Sequence, residues 1–204
     1  MSLGIYMIQK LKEKLSLKRI LSAVGLLSLI VLARFGSVSA QTITQGYGSE
    51  TSIQRATIVS LVLDDAKKVE PTSFDNDERM HGVVVGANDA PFTLSTEEEK
   101  TFVATKGRFE TFVSNENGVI QSGDFITISR VAGIGMKASD RETYIIGKAI
   151  STFDGETAVL STTDIDDNGQ PKKVAIGRIQ VDIGVSGNPL LRPTQANLPG
   201  FLQR

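Results

Sequence analysis

Oxygen-bearing side chains alternate along one short stretch of the chain, at Asp164, Asp166 and Asn168, and Gly169 follows them. Loops that bind calcium begin with this spacing, because alternate carboxylate and amide oxygens surround the ion while the glycine makes the bend. Such loops hold a bidentate glutamate at the twelfth position, where this chain has Ala175. The same residues also fit a hairpin turn in which Asn-Gly adopts positive φ. The sequence therefore predicts either a calcium site at Asp164, Asp166 and Asn168 or a tight turn.

The chain has one histidine, His81, and three acidic residues precede it at Asp75, Asp77 and Glu78. A histidine beside carboxylates can act as a general base or hold a metal ion. A hydrolase would need His81, a carboxylate and a nucleophile in one pocket. Because His81 fits equally well as the first residue of a β-strand, we predict no catalytic residue.

Two glycine-containing segments, residues 82–86 (GVVVG) and 133–135 (GIG), have some likeness to phosphate-binding loops. Neither has the G-x-G-x-x-G spacing, and neither is followed by an amphipathic helix. We interpret these glycines as turn residues. No cofactor is predicted apart from the calcium ion considered above.

The charge of the chain is distributed unevenly. Residues 1–40 carry six of the 22 basic side chains and one of the 23 acidic side chains, so residues 41–204 have 16 basic and 22 acidic groups, a net charge of −6. An acidic domain of this kind repels phosphate backbones, and we predict no nucleic-acid partner. The chain has no cysteine, so its stability must come from an apolar core and not from disulfides.

The N-terminal segment is typical of an export signal. Residues 20–33 (ILSAVGLLSLIVLA) contain no charge and follow a basic cluster, as in signal peptides. As a helix this run covers about 21 Å, less than the ~30 Å hydrocarbon core of a bilayer. Val38 and Ala40 are small residues at the two positions that a signal peptidase inspects, so cleavage after Ala40 would leave Gln41 as the N-terminus.

An uncleaved membrane anchor is the second interpretation of this segment. Extending the run to Ala40 gives a helix of about 31 Å, and Arg34 can snorkel to the interface. A buried core helix is the third interpretation, which the absence of a polar face disfavours. The first two interpretations place the rest of the chain outside the cytoplasm, and we predict a cell-envelope protein that is either membrane-anchored through residues 20–33 or secreted.

The rest of the chain divides by composition. Residues 41–53 are polar and are predicted to be a tether, residues 54–187 a β domain, and residues 188–204 a tail. The tail contains Pro189, Pro193 and Pro199, which exclude a central strand or a long helix.

Segments rich in β-branched residues, or with a period of two, predict an all-β fold. A loop is predicted at 66–79, and a hairpin at Gly107 joins two of the strands. Eight to ten short strands at this spacing indicate a barrel, roll or sandwich, preceded by the N-terminal hydrophobic helix. The predicted strands are 57–63, 81–87, 101–105, 108–114, 123–129, 142–150, 157–163 and 172–185.

Three segments occur in an order that resembles a known type of β module: residues 120–129 (IQSGDFITIS), 131–138 (VAGIGMKA) and 146–150 (IGKAI). The order resembles β-rich modules of phage tail-fibre and appendage proteins. It is also similar to uncharacterised single-anchor surface proteins of candidate-phylum bacteria. The resemblance covers about residues 54–150 and implies a structural β domain, which in fibres is often trimeric. It carries over no functional residue.

Three hypotheses about function follow. The leading one is a non-enzymatic, envelope-associated β domain for surface structure, assembly or attachment, with a homo-oligomer and a surface glycan or protein as its possible partners. The second is a ligand-binding module for a glycan or for calcium, with Asp164, Asp166 and Asn168 as the calcium ligands. The third is an envelope hydrolase built around His81.

Overall fold

The structure is a computed structural model that describes residues 43–89, 92–94, 100–167 and 169–191. These residues belong to one compact unit that begins at Gln41, and they form two six-stranded β-sheets. The all-β prediction is therefore confirmed. The expected N-terminal helix lies outside the described residues.

The described part of the chain has twelve strands, which is more than the eight to ten expected. A short 3₁₀ helix, Asp77–Arg79, precedes the fourth strand. In chain order the strands are β1 (Ile43–Tyr47), β2 (Ile58–Val62), β3 (Asp65–Pro71), β4 (Met80–Val85), β5 (Phe92–Leu94), β6 (Thr101–Ala104), β7 (Lys106–Ser114), β8 (Phe125–Ile128), β9 (Gly135–Lys137), β10 (Tyr144–Ala149), β11 (Ser161–Asp167) and β12 (Gln170–Gly187).

The first sheet has the strand order β3-β2-β4-β6-β1-β5. Its strands β3 and β1 also meet directly, because Gly48 N donates to Lys67 O and Gly48 O accepts from Val69 N, both at 2.9 Å. Strands β1, β6, β4, β2 and β3 thus form a closed circuit of backbone hydrogen bonds. Strand β5 lies outside this circuit, parallel to β1.

The second sheet has the strand order β10-β8-β9-β7-β12-β11, and β10 also pairs with β12. Strand β12 has 18 residues and pairs in succession with β11, β7 and β10. The pairing with β10 closes a second circuit of five strands, β7, β9, β8, β10 and β12. Strand β11 extends this sheet at one edge.

Both sheets contribute to one apolar core. Along β12, Ile179, Val181 and Ile183 are buried while the residues between them are exposed, because side chains alternate between the two faces of a strand. The first sheet adds side chains from β2, β4 and β6 to this core. Its buried members are Ile58, Met80, Val83, Val85, Ala104, Phe109, Val113, Ile120, Ile126, Ile128, Ile146, Ala149, Phe153, Ala175, Ile179, Val181 and Ile183.

Backbone hydrogen bonds join the two sheets at Ala56 and at Gly133. Ala56 is fully buried with a φ of +75°; its N–H donates to Val84 O, and its carbonyl accepts from Phe112 N. Gly133 N donates to Thr72 O, and Gly133 O accepts from Ile58 N. A Cβ at Gly133 would lie 2.4 Å from Thr57 Cγ2, so this position requires glycine both for its space and for its φ of +75°.

The predicted tether at residues 41–53 is wrong in part, because Ile43–Tyr47 is a strand. This strand pairs with β6 on one side and with β5 on the other, and Thr44 and Tyr47 are buried. The polar composition of this segment suggests a tether. Its threonine and glycine nevertheless form a strand, because both sides of the backbone are hydrogen-bonded to neighbouring strands. The domain therefore starts at least eleven residues before the predicted Gln54.

Two further predictions are corrected. The loop predicted at 66–79 contains most of β3, an antiparallel partner of β2, because charged side chains are tolerated on the solvent-facing side of a strand. The hairpin predicted at Gly107 does not form: β6 pairs within the first sheet and β7 within the second. The chain crosses between the sheets at this point, and the φ of +117° at Gly107 belongs to that crossing.

The remaining strand predictions hold more closely. Strands β2, β4, β8, β10 and β12 lie within two residues of the predicted ends, whereas β11 starts four residues later than the predicted strand at 157–163.

Asn188, the first residue of the predicted tail, is buried, and its Nδ2 donates to the carbonyls of Ser139 and Glu142 at 2.7 Å. Asn188 therefore belongs to the domain, and residues 192–204 lie outside the described part.

We expect that Gly177→Ala destabilises the domain. An added Cβ would lie 2.3 Å from Cε2 of the buried Phe153 ring, and overpacking of this kind costs about 1–3 kcal/mol in free energy of unfolding. Gly184→Ala is the matched control on the same strand, because a Cβ there meets nothing within 4 Å. Urea denaturation of both variants measures the difference, and equal stability of the two would contradict the packing at Phe153.

Candidate functional site

His81 is the extra residue of a β-bulge in the first sheet. Val59 pairs with Gly82 while the next residue, Ser60, pairs with Met80, so His81 has no opposite residue on β2. A bulge turns its side chain away from the regular alternation. His81 Nε2 lies 2.6 Å from the Tyr47 hydroxyl, and the two rings meet edge to face with centroids 5.2 Å apart.

Burial lowers the pKa of His81, because desolvation disfavours the charged imidazolium. The neutral ring and the Tyr47 hydroxyl form one hydrogen bond, whose donor depends on the tautomer of the histidine. Tyr47 is itself buried among apolar residues of the first sheet. The contact is therefore a side-chain hydrogen bond between β1 and β4 of the first sheet.

The acidic residues that precede His81 in sequence are placed elsewhere. Burial raises the pKa of Asp77, helped by the negative charge of Glu78 and opposed by a backbone hydrogen bond. No hydrogen bond or ion pair joins His81 to Asp75, Asp77 or Glu78 within the part of the chain that the structure describes. The structure brings His81 together with Tyr47, which the sequence did not indicate.

The segment considered as a calcium loop joins β11 to β12. Asp167 pairs with Gln170 across a two-residue connection, Gly169 has a φ of +81°, and Asp166 Oδ1 accepts from Gly169 N at 2.6 Å. The hairpin prediction is confirmed at these residues. Asp164 is exposed and pairs with Lys173; Asn168 lies outside the described residues.

The calcium prediction is not tested by this geometry. Among the residues that the structure describes, no group of three or more His, Cys, Asp or Glu side chains is arranged to hold a metal ion. Asp164 and Asp166 lie on the same exposed side of β11, two positions apart. In an extended strand that spacing separates their Cα atoms by about 6.6 Å, whereas a calcium loop curls its ligands around the ion.

A network of charges joins the turn end of this hairpin to a neighbouring loop. The Arg130 guanidinium lies 3.4 Å from Glu116 and 3.2 Å from Asp167, and Lys172 Nζ donates to the carbonyl of Glu116 at 2.8 Å. The Glu116 carboxylate, which is nearly buried, also accepts from Arg130 N. These charges are neutralised by one another, and they hold the hairpin in place.

The segments that carry the resemblance form β8, β9 and β10, and their polar residues have structural contacts. Asp124 accepts from Gln121 N at 2.8 Å and lies 2.9 Å from Lys137 Nζ. Burial pushes the pKa of Asp124 upward, but these hydrogen bonds and the charge of Lys137 outweigh it and lower the pKa below its usual value. The backbone of Asp124 also accepts from Ala149 N. This aspartate therefore joins three strands.

A cavity of about 830 Å³ opens beside the end of β1, where this strand meets β3. We call it the basic groove, because Arg55, Lys67, Lys68 and Lys100 line it together with the acidic Glu50 and Asp65. Ser49 and Thr101 also line it, and their hydroxyls are hydrogen-bonded at 2.9 Å. The groove has the size of sites that bind small molecules.

Sequence reasoning missed the basic groove entirely. Ser49 fell in the predicted tether, Arg55 at the predicted start of the domain and the two lysines of β3 in a predicted loop, while Lys100 lies 32 residues beyond Lys68. The groove exists because the Gly48 backbone pairs with β3. No local pattern signals a parallel contact between two strands separated by some twenty residues.

Comparison with models of protein families, with curated proteins and with solved structures found no match to this chain. The resemblance to tail-fibre and surface proteins therefore stays a prediction. In the described part of the chain, no helix is long and apolar enough to span a membrane; the predicted signal or anchor at residues 20–33 is outside that part.

We expect that protonation of His81 destabilises the fold. Because its folded-state pKa is lowered, the unfolded chain binds the proton more tightly, so this contribution to stability is complete above about pH 6.5 and is lost as the pH falls towards the folded pKa. His81→Gln keeps a polar group near Tyr47 but cannot titrate. Unfolding free energies measured between about pH 7 and pH 5 should fall more steeply for the wild type than for this variant; parallel profiles would contradict the burial of the imidazole.

The hairpin geometry predicts that calcium leaves the melting temperature unchanged. Wild type and Asp164→Asn should melt alike with calcium and with a chelator, because no ligand shifts the equilibrium unless it binds the folded state. Asp166 is left intact because it accepts the hydrogen bond from Gly169 N. A rise in melting temperature with calcium that is lost in Asp164→Asn would overturn this expectation and support the calcium site.

Proposed function

We propose that this protein is a non-enzymatic β domain of the cell envelope that serves surface structure, assembly or attachment outside the cytoplasm. The observation that carries the proposal is that the described residues form two β-sheets around a shared apolar core, in which His81 and Asp166, the candidates visible in sequence, have hydrogen bonds within the fold. Such contacts favour a structural role for these residues.

The contacts of His81 support a structural role for the one histidine. Its Nε2 is engaged by the Tyr47 hydroxyl, and burial favours its neutral form. An envelope hydrolase, the third hypothesis, would require a carboxylate and a nucleophile beside this ring. The hydrogen bonds of Asp124 and the ion pairs of Arg130 likewise support a fold-stabilising role for the charged residues of the second sheet.

A ligand-binding module is the second candidate, and the basic groove is the observation that favours it. The groove combines cationic side chains with the hydroxyls of Ser49 and Thr101, which suits a glycan better than a calcium ion. A homo-oligomer, as the resemblance to fibre modules implies, stays part of the proposal.

Cell fractionation and N-terminal sequencing of the protein from its native cell test the leading proposal. We expect either a chain starting at Gln41 in the medium or envelope, or a chain starting at Met1 in the membrane. In both cases, protease added to intact cells stripped of their outer layers should digest the protein. The variant Ala40→Phe is the control, since a bulky residue blocks signal peptidase. It should convert a secreted form into a membrane-bound form and leave an anchored form unchanged.

Two results would contradict the proposal. One is a full-length chain in the cytoplasm, protected from external protease. The other is a hydrolytic activity of the purified full chain that His81→Gln abolishes while the fold, judged by circular dichroism, is retained.

A further inference from the structure

We infer that the basic groove binds an anionic glycan, a sugar chain that carries carboxylate or phosphate groups. This inference rests on the proposed function and deepens it, because it assigns the attachment site and the chemical class of its ligand. The groove lies where the end of β1 meets β3 and β6, and residues 48–53 form one of its walls.

The groove is basic, whereas the domain as a whole is acidic. Residues 41–204 have a net charge of −6, yet the described residues of the groove comprise four basic and two acidic side chains. Cations gathered in a concave site raise the local concentration of anions. Because the rest of the domain repels a long polyanion, the groove is suited to a short anionic segment.

Two of the four cations make no ion pair with any residue that the structure describes. They are Lys67 and Lys100; Lys68 lies at a loose 3.8 Å from Asp65, and Arg55 pairs with Asp89 at 3.0 Å. The backbone of Lys67 is fixed by the hydrogen bond from Gly48 N, so its side chain emerges from a rigid strand. We infer that its ammonium group is one of the contacts to the ligand.

The neutral lining supplies partners for sugar hydroxyls. Thr101 is almost fully buried at the wall of the groove, and its hydroxyl meets Ser49 Oγ at 2.9 Å. Each hydroxyl retains further hydrogen-bonding capacity. The half-buried Phe102 also lines the groove. Because β1 is hydrogen-bonded to β3 and β6, these groups are already in place before a ligand arrives, which reduces the entropic cost of binding.

Titration of the full chain in a neutral detergent with trigalacturonate, by isothermal calorimetry at low and at physiological ionic strength, tests the inference. We expect binding that weakens with salt, as screening requires, and much weaker binding of the neutral galactotriose. The variant Lys67→Gln/Lys100→Gln should bind trigalacturonate about tenfold more weakly or worse, since each charge-assisted hydrogen bond is lost.

The matched control is Lys106→Gln/Lys173→Gln, which removes two exposed lysines of the second sheet and should change the affinity less than about twofold. This control also retains the basic cluster of residues 10–19. Binding that both double variants retain would place the ligand on that cluster and overturn the inference. So would equal binding of galactotriose, or no binding of trigalacturonate.

Vesicles of phosphatidylglycerol distinguish the source of the anionic group. Binding to these vesicles that the groove variant loses, together with no binding of trigalacturonate, would assign the groove to lipid headgroups and overturn the glycan. None of these results alters the location of the N-terminus, so the inference and the proposed function fail separately.

Discussion

Strand β12 is the element on which the second sheet depends. Its 18 residues provide hydrogen bonds to β11, then to β7 and finally to β10, so one continuous strand closes a circuit of five. A closed circuit removes the unpaired backbone edges that an open sheet would expose. The same strand buries Ile179, Val181 and Ile183 in the core. The chain has no cysteine, so backbone pairing and apolar burial hold this circuit together without a disulfide.

The two sheets are held together by backbone groups as well as by side chains. Ala56 accepts an uncommon positive φ, which persists because both of its backbone groups are hydrogen-bonded, one to each sheet. Gly133 lies between β8 and β9 of the second sheet, and both of its backbone groups bond to the first: its N–H donates to Thr72 O, and its carbonyl accepts from Ile58 N. Where the sheets approach this closely a side chain has no space, so small residues at these junctions follow from the packing.

The basic groove is a product of the same pairing. Strand β1 runs along β6 and, at Gly48, reaches β3, so residues distant in the chain surround one cavity. Lys67 lines it from β3, Arg55 from the segment before β2 and Lys100 from the residue before β6. The site most suited to a ligand thus lies at the closure of the first sheet, while the candidates visible in sequence, His81 and Asp166, have contacts within the fold.

Local patterns determined the all-β class, the strands that have β-branched residues or a strict period of two, and the hairpin at Gly169. They could do so because side-chain alternation and a glycine at positive φ are set by neighbouring residues. They failed at β1 and β3, whose polar residues are stabilised by partners elsewhere in the sheet, and at Gly107, where a crossing and a hairpin use the same glycine. The sequence alone also determined the net charge of the domain and its lack of cysteine. Only the tertiary structure decided that His81 meets Tyr47 and that four basic side chains share a groove, because non-local strand pairing sets these distances and no spacing along the chain encodes it.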